Sequence, residues 1–435
     1  QVDTLKETKI PDQWDLQSCI DYAKEQNITI RKNRITAVST QIDVKTAKAA
    51  LFPSLSFSTG HQVVNRPYQE TSSRVSGSEI ISSNSKTSYN GNYGLNASWT
   101  LYNGNKRLKT IQQEKLNNQM AELDVATSEN NIQESIAQVY IQILYAAESV
   151  KVNENTLQVS IAQRDRGQEL LNAGSIAKSD LAQLEAQVST DRYQLVTAQA
   201  TLEDYKLQLK QLLELDGENE MNIYLPALSD ENVLAPLPTK KDVYIRALSL
   251  RPEIEASKLN VEASELGIGI AKSSYLPTIS LSAGIGTNHT SGSDFTFGEQ
   301  VKNGWNNSIG LSVSVPIFNN RQTKSAVQKA KLQYETSMLS LLDEQKTLYK
   351  TIEGLWLDAN SAQQRYAAAN EKLKSTQISY ELISEQFNLG MKNTVELLTE
   401  KNNLLQAQQE QLQAKYMAIL NTQLLKFYQG DQLAL

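Results

Sequence analysis

The chain is 435 residues long, 40% hydrophobic and 21% charged, with a formal net charge of -6 at pH 7. Such a length exceeds one ordinary core, and an acidic balance without a Lys/Arg cluster excludes a phosphate-tracking surface, so no nucleic-acid partner is expected. A lone cysteine, Cys19, excludes an internal disulfide frame and a multi-cysteine zinc site; it reads as an apolar thiol on a helix face.

In chain order, residues 1–52 read as an N-terminal helical segment. The chain opens at Gln1 with no positively charged apolar leader, which fits either a cytoplasmic protein or a processed one. Residues 53–102 read as a first β-hairpin. There Leu55 and Phe57 alternate with Ser54, Ser56 and Ser58, while Tyr89, Tyr93, Leu95, Ala97, Trp99 and Leu101 alternate with Asn, Gly, Ser and Thr. Strict period-2 alternation gives one greasy and one wet face.

Residues 103–214 read as a pair of long helices turning at Gly174. No proline occurs in 68–225, as long helices require, and Leu181, Val188, Leu195, Leu202 and Leu209 recur every seventh residue. Pro226, Pro236 and Pro238 mark residues 215–240 as a non-helical connector. In the next predicted helix, 241–276, Pro252 of LRPEIEA suits a first turn.

A second β-hairpin spans 277–318. Ile279, Leu281, Ala283 and Ile285 alternate with Ser and Gly, as do Ile309, Leu311, Val313, Val315 and Ile317 with small polar residues. Residues 319–435 form a second proline-free helical pair turning at Gly390, with heptads at Leu398, Leu405, Leu412 and Ile419 and at Tyr366, Leu373, Tyr380 and Phe387.

The two halves repeat. AKAALFPSLSFSTG from Ala47 matches AKSSYLPTISLSAG from Ala271, and TLYNGNKRLKTIQQEKL from Thr100 matches PIFNNRQTKSAVQKAKL from Pro316. One constant offset carries Gly174 onto Gly390, Asp180 onto Glu396 and Leu181 onto Leu397. Each half is therefore one helix–hairpin–helix–helix unit, with a longer loop in the first hairpin.

No helical window approaches the ~20 apolar residues needed to cross a bilayer. Two-faced strands suit either a soluble sandwich or a transmembrane barrel with its greasy face to lipid. Their length of about ten residues and the aromatics near their ends (Tyr89, Trp99, Tyr102, Trp305, Phe318) favour the barrel. Leu55, Phe57, Tyr93, Leu95, Trp99, Ile279, Leu281, Ile309, Leu311 and Val313 then face lipid. Four strands cannot close, since the smallest such barrels have about eight, so several subunits must pool theirs. The fold class expected is a mixed α and β membrane protein, a long-helix coiled-coil barrel joined to a shared transmembrane β-barrel.

The residues resemble the TolC-like outer-membrane factor family, also called the outer membrane efflux proteins. The resemblance runs through nearly the whole chain, in WDLQSCIDYAKEQN from Trp14, LFPSLSF and YLPTISL at the hairpin entries, and TLYNG and PIFNN at the exits. RPEIEAS from Arg251 and the turns LNAGSIAKSDL and FNLGMKNTVELL complete it. Asn320 departs from the Gly many members carry there, a small departure because Asn also tolerates tight turns. The resemblance implies a homotrimer with twelve strands in the outer membrane of a Gram-negative bacterium and twelve helices in the periplasm, with 215–240 and the chain ends, including the C-terminal end of 319–435, in an equatorial belt. It implies a passive exit duct working with a periplasmic membrane fusion protein (adaptor) and an inner-membrane transporter. The implied cargo is small molecules or, alternatively, polypeptides of type I secretion.

By the same resemblance the turns are periplasmic tips where the adaptor docks, at Gly174, Ser175, Lys178, Asp180, Gly390, Lys392 and Asn393. Glu396 falls where members carry an acidic residue at the periplasmic constriction, and Thr399 stands at the next such position. Three copies of Glu396 would form a carboxylate ring favouring cations. Equally, Asp180 and Glu396 are first-turn carboxylates at the positive end of a helix dipole.

His61 and His289 lie on or beside the hairpins, apart from any acidic cluster, and the chain has no HExxH, P-loop, nucleophile elbow or strand-flanked GxGxxG. No catalytic, cofactor-binding or metal-ligating residues are expected, and energy for transport would come from partners. The reading from another class is a soluble coiled-coil structural or adaptor protein, which would need no lipid-length two-faced hairpins.

Overall fold

The computed structural model describes residues 10–68, 72–76, 79–83, 86–216, 221–226, 228, 233–293 and 295–434. Residues 1–9 of the N-terminal segment, the outer part of the first hairpin loop and part of the 215–240 connector lie outside them.

The elements run α1 (Leu16–Gln26), α2 (Ile28–Ala49), β1 (Ser54–Asn65), β2 (Ser72–Ser76), β3 (Glu79–Ser83), β4 (Thr87–Asn103), α3 (Lys106–Asn172) and α4 (Lys178–Leu212). The second half runs α5 (Lys240–Leu250), α6 (Pro252–Ser273), β5 (Thr278–Thr290), α7 (Phe297–Asn303), β6 (Asn306–Ser314), α8 (Gln322–Asn388) and α9 (Thr394–Tyr428). Helices α3 and α8 are each 67 residues, on the order of 100 Å at 1.5 Å per residue.

The duplication is visible in the backbone. Each main hairpin hands over to its long helix through two successive left-handed residues, Gly104 and Asn105 at φ 67° and 62°, Asn320 and Arg321 at φ 50° and 65°. Asn at the third of these positions keeps the turn that Gly makes at the first, because its short amide side chain tolerates that region. Both helical turns close alike. Ser175 N–H donates to the Leu170 carbonyl at 2.8 Å and Met391 N–H to Gln386 at 2.8 Å. Gly174 and Gly390 supply φ of 74° and 73°. This is a Schellman stop, which satisfies carbonyls the ending helix leaves free.

By contacts the chain divides into two units, Gln1–Ala37 with Met120–Lys258 and Ser340–Leu435, and Val38–Gln119 with Leu259–Leu339. The first unit is helical. Its main core gathers Trp14, Leu16, Cys19 and Ile20 of the N-terminal segment with Ile136, Tyr140 and Leu144 of α3, Tyr366 of α8 and Ile419 and Leu424 of α9. Trp14 pairs with the connector as a parallel bridge to Ile223, its N–H on the Asn222 carbonyl and its carbonyl taking the Tyr224 N–H, each at 2.8 Å. Tyr140 crosses beneath, its hydroxyl donating to the Tyr224 carbonyl at 2.5 Å. A smaller core sets Val243 and Ala247 of α5 and Ile254 of α6 against Leu348 and Ile352 of α8 and Leu425 and Tyr428 of α9.

The second unit carries the main sheet, four antiparallel strands in the order β1-β4-β5-β6. A separate hairpin, β2 with β3, extends the first loop, and α7 occupies the second loop. Neither was apparent from the polar composition of those loops. The sheet is anchored at its helical end: Trp99 Nε1 donates to the Leu51 carbonyl at 2.7 Å and Arg107 to the Ala50 carbonyl at 2.6 Å. Arg107 also donates to the Thr100 carbonyl, beside the irregularity in pairing between Thr100 and Tyr102.

Candidate functional site

Among the described residues, chemistry gathers on the two faces of the main sheet, at the helical turns and in a buried cluster between the helical pairs. Register sets the faces. Leu55 pairs with Ala97, Ala97 with Ala283 and Ala283 with Ile309; Phe57 pairs with Leu95 and Leu95 with Ile285; Trp99 pairs with Leu281 and Leu281 with Leu311. These rows put the alternating apolar positions of all four strands on one face, Ile279 and Val313 included. Among the described residues nothing covers the apolar side chains of the edge strands. Leu55 is 69% exposed, Phe57 66%, Ile309 79%, Leu311 65% and Val313 58%. Leu95 and Trp99 are also exposed, and Tyr93, Ile279 and Leu281 are half-buried by their neighbours. So continuous an apolar surface is not stable against water and marks a lipid or protein interface.

The opposite face is small and polar. Ser54 and Ser98 hydroxyls meet at 2.9 Å, Asn96 donates to Ser58 at 3.4 Å, and Gly94, Gly284, Gly286 and Gly310 leave its surface low. On the apolar face, one row holds His61, Gly91 and His289 on three adjacent strands. The two imidazoles converge over Gly91, where a Cβ would lie 2.4 Å from His289 Cε1, so a larger residue would push the His289 ring aside. Tyr89 and Tyr93 pack around them, two contacts stacked and two edge-on, with centroids 5.3–6.1 Å apart, and Phe297 of α7 closes on His289 at 4.9 Å. The Tyr89 hydroxyl lies 2.7 Å from His61 Nδ1. This aromatic cluster of partly polar rings has the composition of a membrane–water boundary. The sequence showed each ring alone; only strand register brings them together.

At the turns, Glu396 is engaged locally. Asn393 Oδ1 accepts the Glu396 N–H at 2.9 Å, the Glu396 carboxylate accepts the Asn393 N–H at 3.2 Å, and Lys392 Nζ lies 2.6 Å from its other oxygen. Lys392 first, then the Asn393 N–H, hold this carboxyl below the usual range. Asp180 forms half of the same box, accepting the Ala177 N–H at 3.0 Å, because Ala177 has no oxygen to return the bond. Thr399 turns its hydroxyl back onto the Val395 carbonyl at 2.8 Å. Gly174, Ser175, Lys178, Gly390, Lys392 and Asn393 sit at the two turns, each exposed or half-buried.

Sequence reasoning missed a buried polar cluster between the helical pairs. Lys401 of α9, 3% exposed at its side chain, donates to Asp191 of α4, 2% exposed, and to Ser160 of α3, which itself donates to Asp191. Gln187 donates to the other Asp191 oxygen at 2.9 Å. Burial pulls the Lys401 pKa down against the opposing pull of Asp191. The apolar heptad skips both residues. In α4, Asp191 takes the core place after Leu184. In α9 the buried seam runs Thr394, Leu397, Lys401, Leu404 and Ala407, whereas Leu398 and Leu405 are half-buried one position along. The signal available was a charge at a heptad core position in each copy.

A duplicated helix–hairpin–helix–helix chain, with an apolar sheet face that the described residues leave uncovered, defines a protein of mixed β-sheet and long-helix architecture. The chain belongs to the outer membrane efflux protein family, whose model matches residues 19–214 and 243–430. It is similar to the outer membrane efflux protein BepC of Brucella suis biovar 1, 24% identical over 67% of this chain and 61% of that one. To the outer membrane protein TolC of Escherichia coli K12 it is 24% identical, over 66% of this chain and 58% of that one. These matches thus span less than two thirds of either relative's length. Among solved structures, the CusC channel superposes with a TM-score of 0.81 at 18% identity, covering 99% of this chain and 96% of that one. At that identity the likeness is one of fold.

Proposed function

We propose that this protein is the outer-membrane exit duct of a tripartite efflux system, passively conducting small molecules delivered by a periplasmic adaptor of the membrane fusion protein class and an inner-membrane transporter. The observation that carries this reading is the open four-stranded sheet with one uncovered apolar face and one small polar face. An open edge at β1 and another at β6 leave main-chain groups to be paired by further copies, because hydrocarbon supplies no partners. Three copies give twelve antiparallel strands, with the apolar face to lipid in the outer membrane of a Gram-negative bacterium and the Ser, Gly and Asn face to a watery lumen.

In this reading 53–102 and 277–318 are the membrane hairpins, and 103–214 and 319–435 the periplasmic helical pairs. The Gly174 and Gly390 turns meet the adaptor, and Glu396 with Thr399 lines the constriction. A soluble coiled-coil protein shares the helices but has no use for the uncovered sheet face.

The test is membrane extraction followed by planar-bilayer recording. Release from membranes only by detergent, a trimer in detergent, and discrete conductance steps are expected. A water-soluble monomer without conductance would refute the reading.

A further inference from the structure

The polar links between the two helical pairs of the first unit are concentrated at one level. Lys401 of the α8/α9 pair enters the α3/α4 pair and holds Asp191 and Ser160. Beside it Gln163 of α3 donates to the Tyr380 hydroxyl of α8 at 2.8 Å, and Gln187 of α4 lies 3.4 Å from Asn402 of α9. These residues sit about seven to thirteen positions from the turns, on the order of 10–20 Å along the helices.

Tipward of this level the bonding changes. Arg166 binds Glu169, Gln168 binds Asn172, Ala177 binds Asp180, and Lys392 and Asn393 bind Glu396. Each of these bonds stays within one pair, and among the described residues no hydrogen bond or ion pair joins the two pairs there. Within the first pair, Leu184 of α4 fills the space over Gly167 of α3. On the other side of the cluster the pairs share the main core, where Tyr145 of α3 meets Tyr416 of α9 edge-on at 6.3 Å.

A buried ion pair among apolar neighbours is a poor source of net stability, since desolvating both charges offsets their attraction, whereas a polar residue at a coiled-coil core position is well suited to fixing register. We propose that Ser160, Asp191 and Lys401 form a clasp that sets the register between the two helical pairs of one chain. The clasp is the fulcrum beyond which the two tips move independently. The two pairs on the core side of the clasp travel as one body. The clasp residues are positioning residues; they touch neither cargo nor partner.

Peptide-resolved hydrogen exchange on the full chain in detergent tests this without reference to conductance, so it stands apart from a failure of the duct reading. Peptides within 164–186 and 381–400 should exchange at least tenfold faster than those of α3, α4, α8 and α9 on the core side. Replacing both charges, Asp191→Leu with Lys401→Leu, should leave the protein folded yet move the fast zone coreward, towards Tyr145 and Tyr416. The charge exchange Asp191→Lys with Lys401→Asp should return the step to its native place. Gln163→Leu, a milder variant, should shift it slightly in the same direction as the leucine pair. A native protein with no step at the clasp would overturn the proposal, as would folded leucine-pair and Gln163→Leu variants whose fast zone stays where it was.

Discussion

The guanidinium of Arg251 lies over the ring of Tyr428, 4.2 Å from its centroid, while its edge bonds Glu134 at 3.2 Å and Glu253 at 2.7 Å. Arg251 ends α5 immediately before Pro252 opens α6, and Glu134 belongs to α3. One buried side chain, 6% exposed, thus pins the start of the second repeat to the first and to the end of α9. Burial raises the Glu134 pKa against the lowering pull of Arg251. Arg251→Leu strands that carboxylate and should cost about 3–5 kcal/mol. Arg251→Lys keeps the charge but loses the fork and the ring stacking, and should cost less. Urea melts followed by circular dichroism separate the two.

The turn glycines make a cleaner case. A Cβ at Gly174 or Gly390 would meet nothing within 4 Å, yet φ is 74° and 73°. Alanine therefore costs only its own backbone strain, about 1–2 kcal/mol per site, and asparagine less. Chemical denaturation of Gly174→Ala, Gly390→Ala and the matching Asn variants should rank them so, with the two sites additive.

Glu396 carries both a cap and the proposed selectivity. Its pKa is depressed from 4.5 by Lys392 and the Asn393 N–H, so its contribution is complete above the unfolded value and disappears as pH falls through the lower folded one. Lowering the pH from 7 to about 5 should leave the α9 start unchanged, and acidification well below the unfolded value should loosen it. Exchange rates corrected for intrinsic pH effects show this, and Glu396→Gln should remove the acid response. In bilayers the same variant should move the reversal potential towards zero if three carboxylates ring the constriction.

Cys19 gives a reporter of global opening. It is fully buried, and burial pushes its thiol up to about 12 from 9.0. The thiolate fraction is then lower by about a thousandfold at a given pH, with access blocked as well. A maleimide at pH 8 should leave the native protein unlabelled and label it stoichiometrically in urea.

Much of this architecture could be read from sequence because its signals are long and periodic. Proline exclusion located α3, α4, α8 and α9; strict alternation located β1, β4, β5 and β6; duplication tied them into two like units. The signals that failed are those in which chemistry interrupts a period. Asp191 and Lys401 occupy core places where an apolar search finds gaps, and Leu398 and Leu405 drew attention to the stripe beside the buried seam. His61, Gly91 and His289 are distant in sequence and meet only through register across three strands. The short α7 begins with the Thr296/Glu299 capping box, a cue too brief to stand out in a polar loop.

The strand order has a genetic corollary. Four consecutive antiparallel strands make the outer two run in opposite directions, so β6 of one copy can extend the sheet through β1 of the next without breaking the antiparallel pattern. In the proposed ring every junction is of this one kind, and each copy supplies one half of two different junctions. A single copy defective at β1 or β6 therefore leaves a gap that two sound copies cannot seal. Coexpressed with the normal chain in equal amounts, an edge mutant such as Val313→Pro is expected to be dominant, spoiling every ring it enters rather than merely lowering the number of good ones.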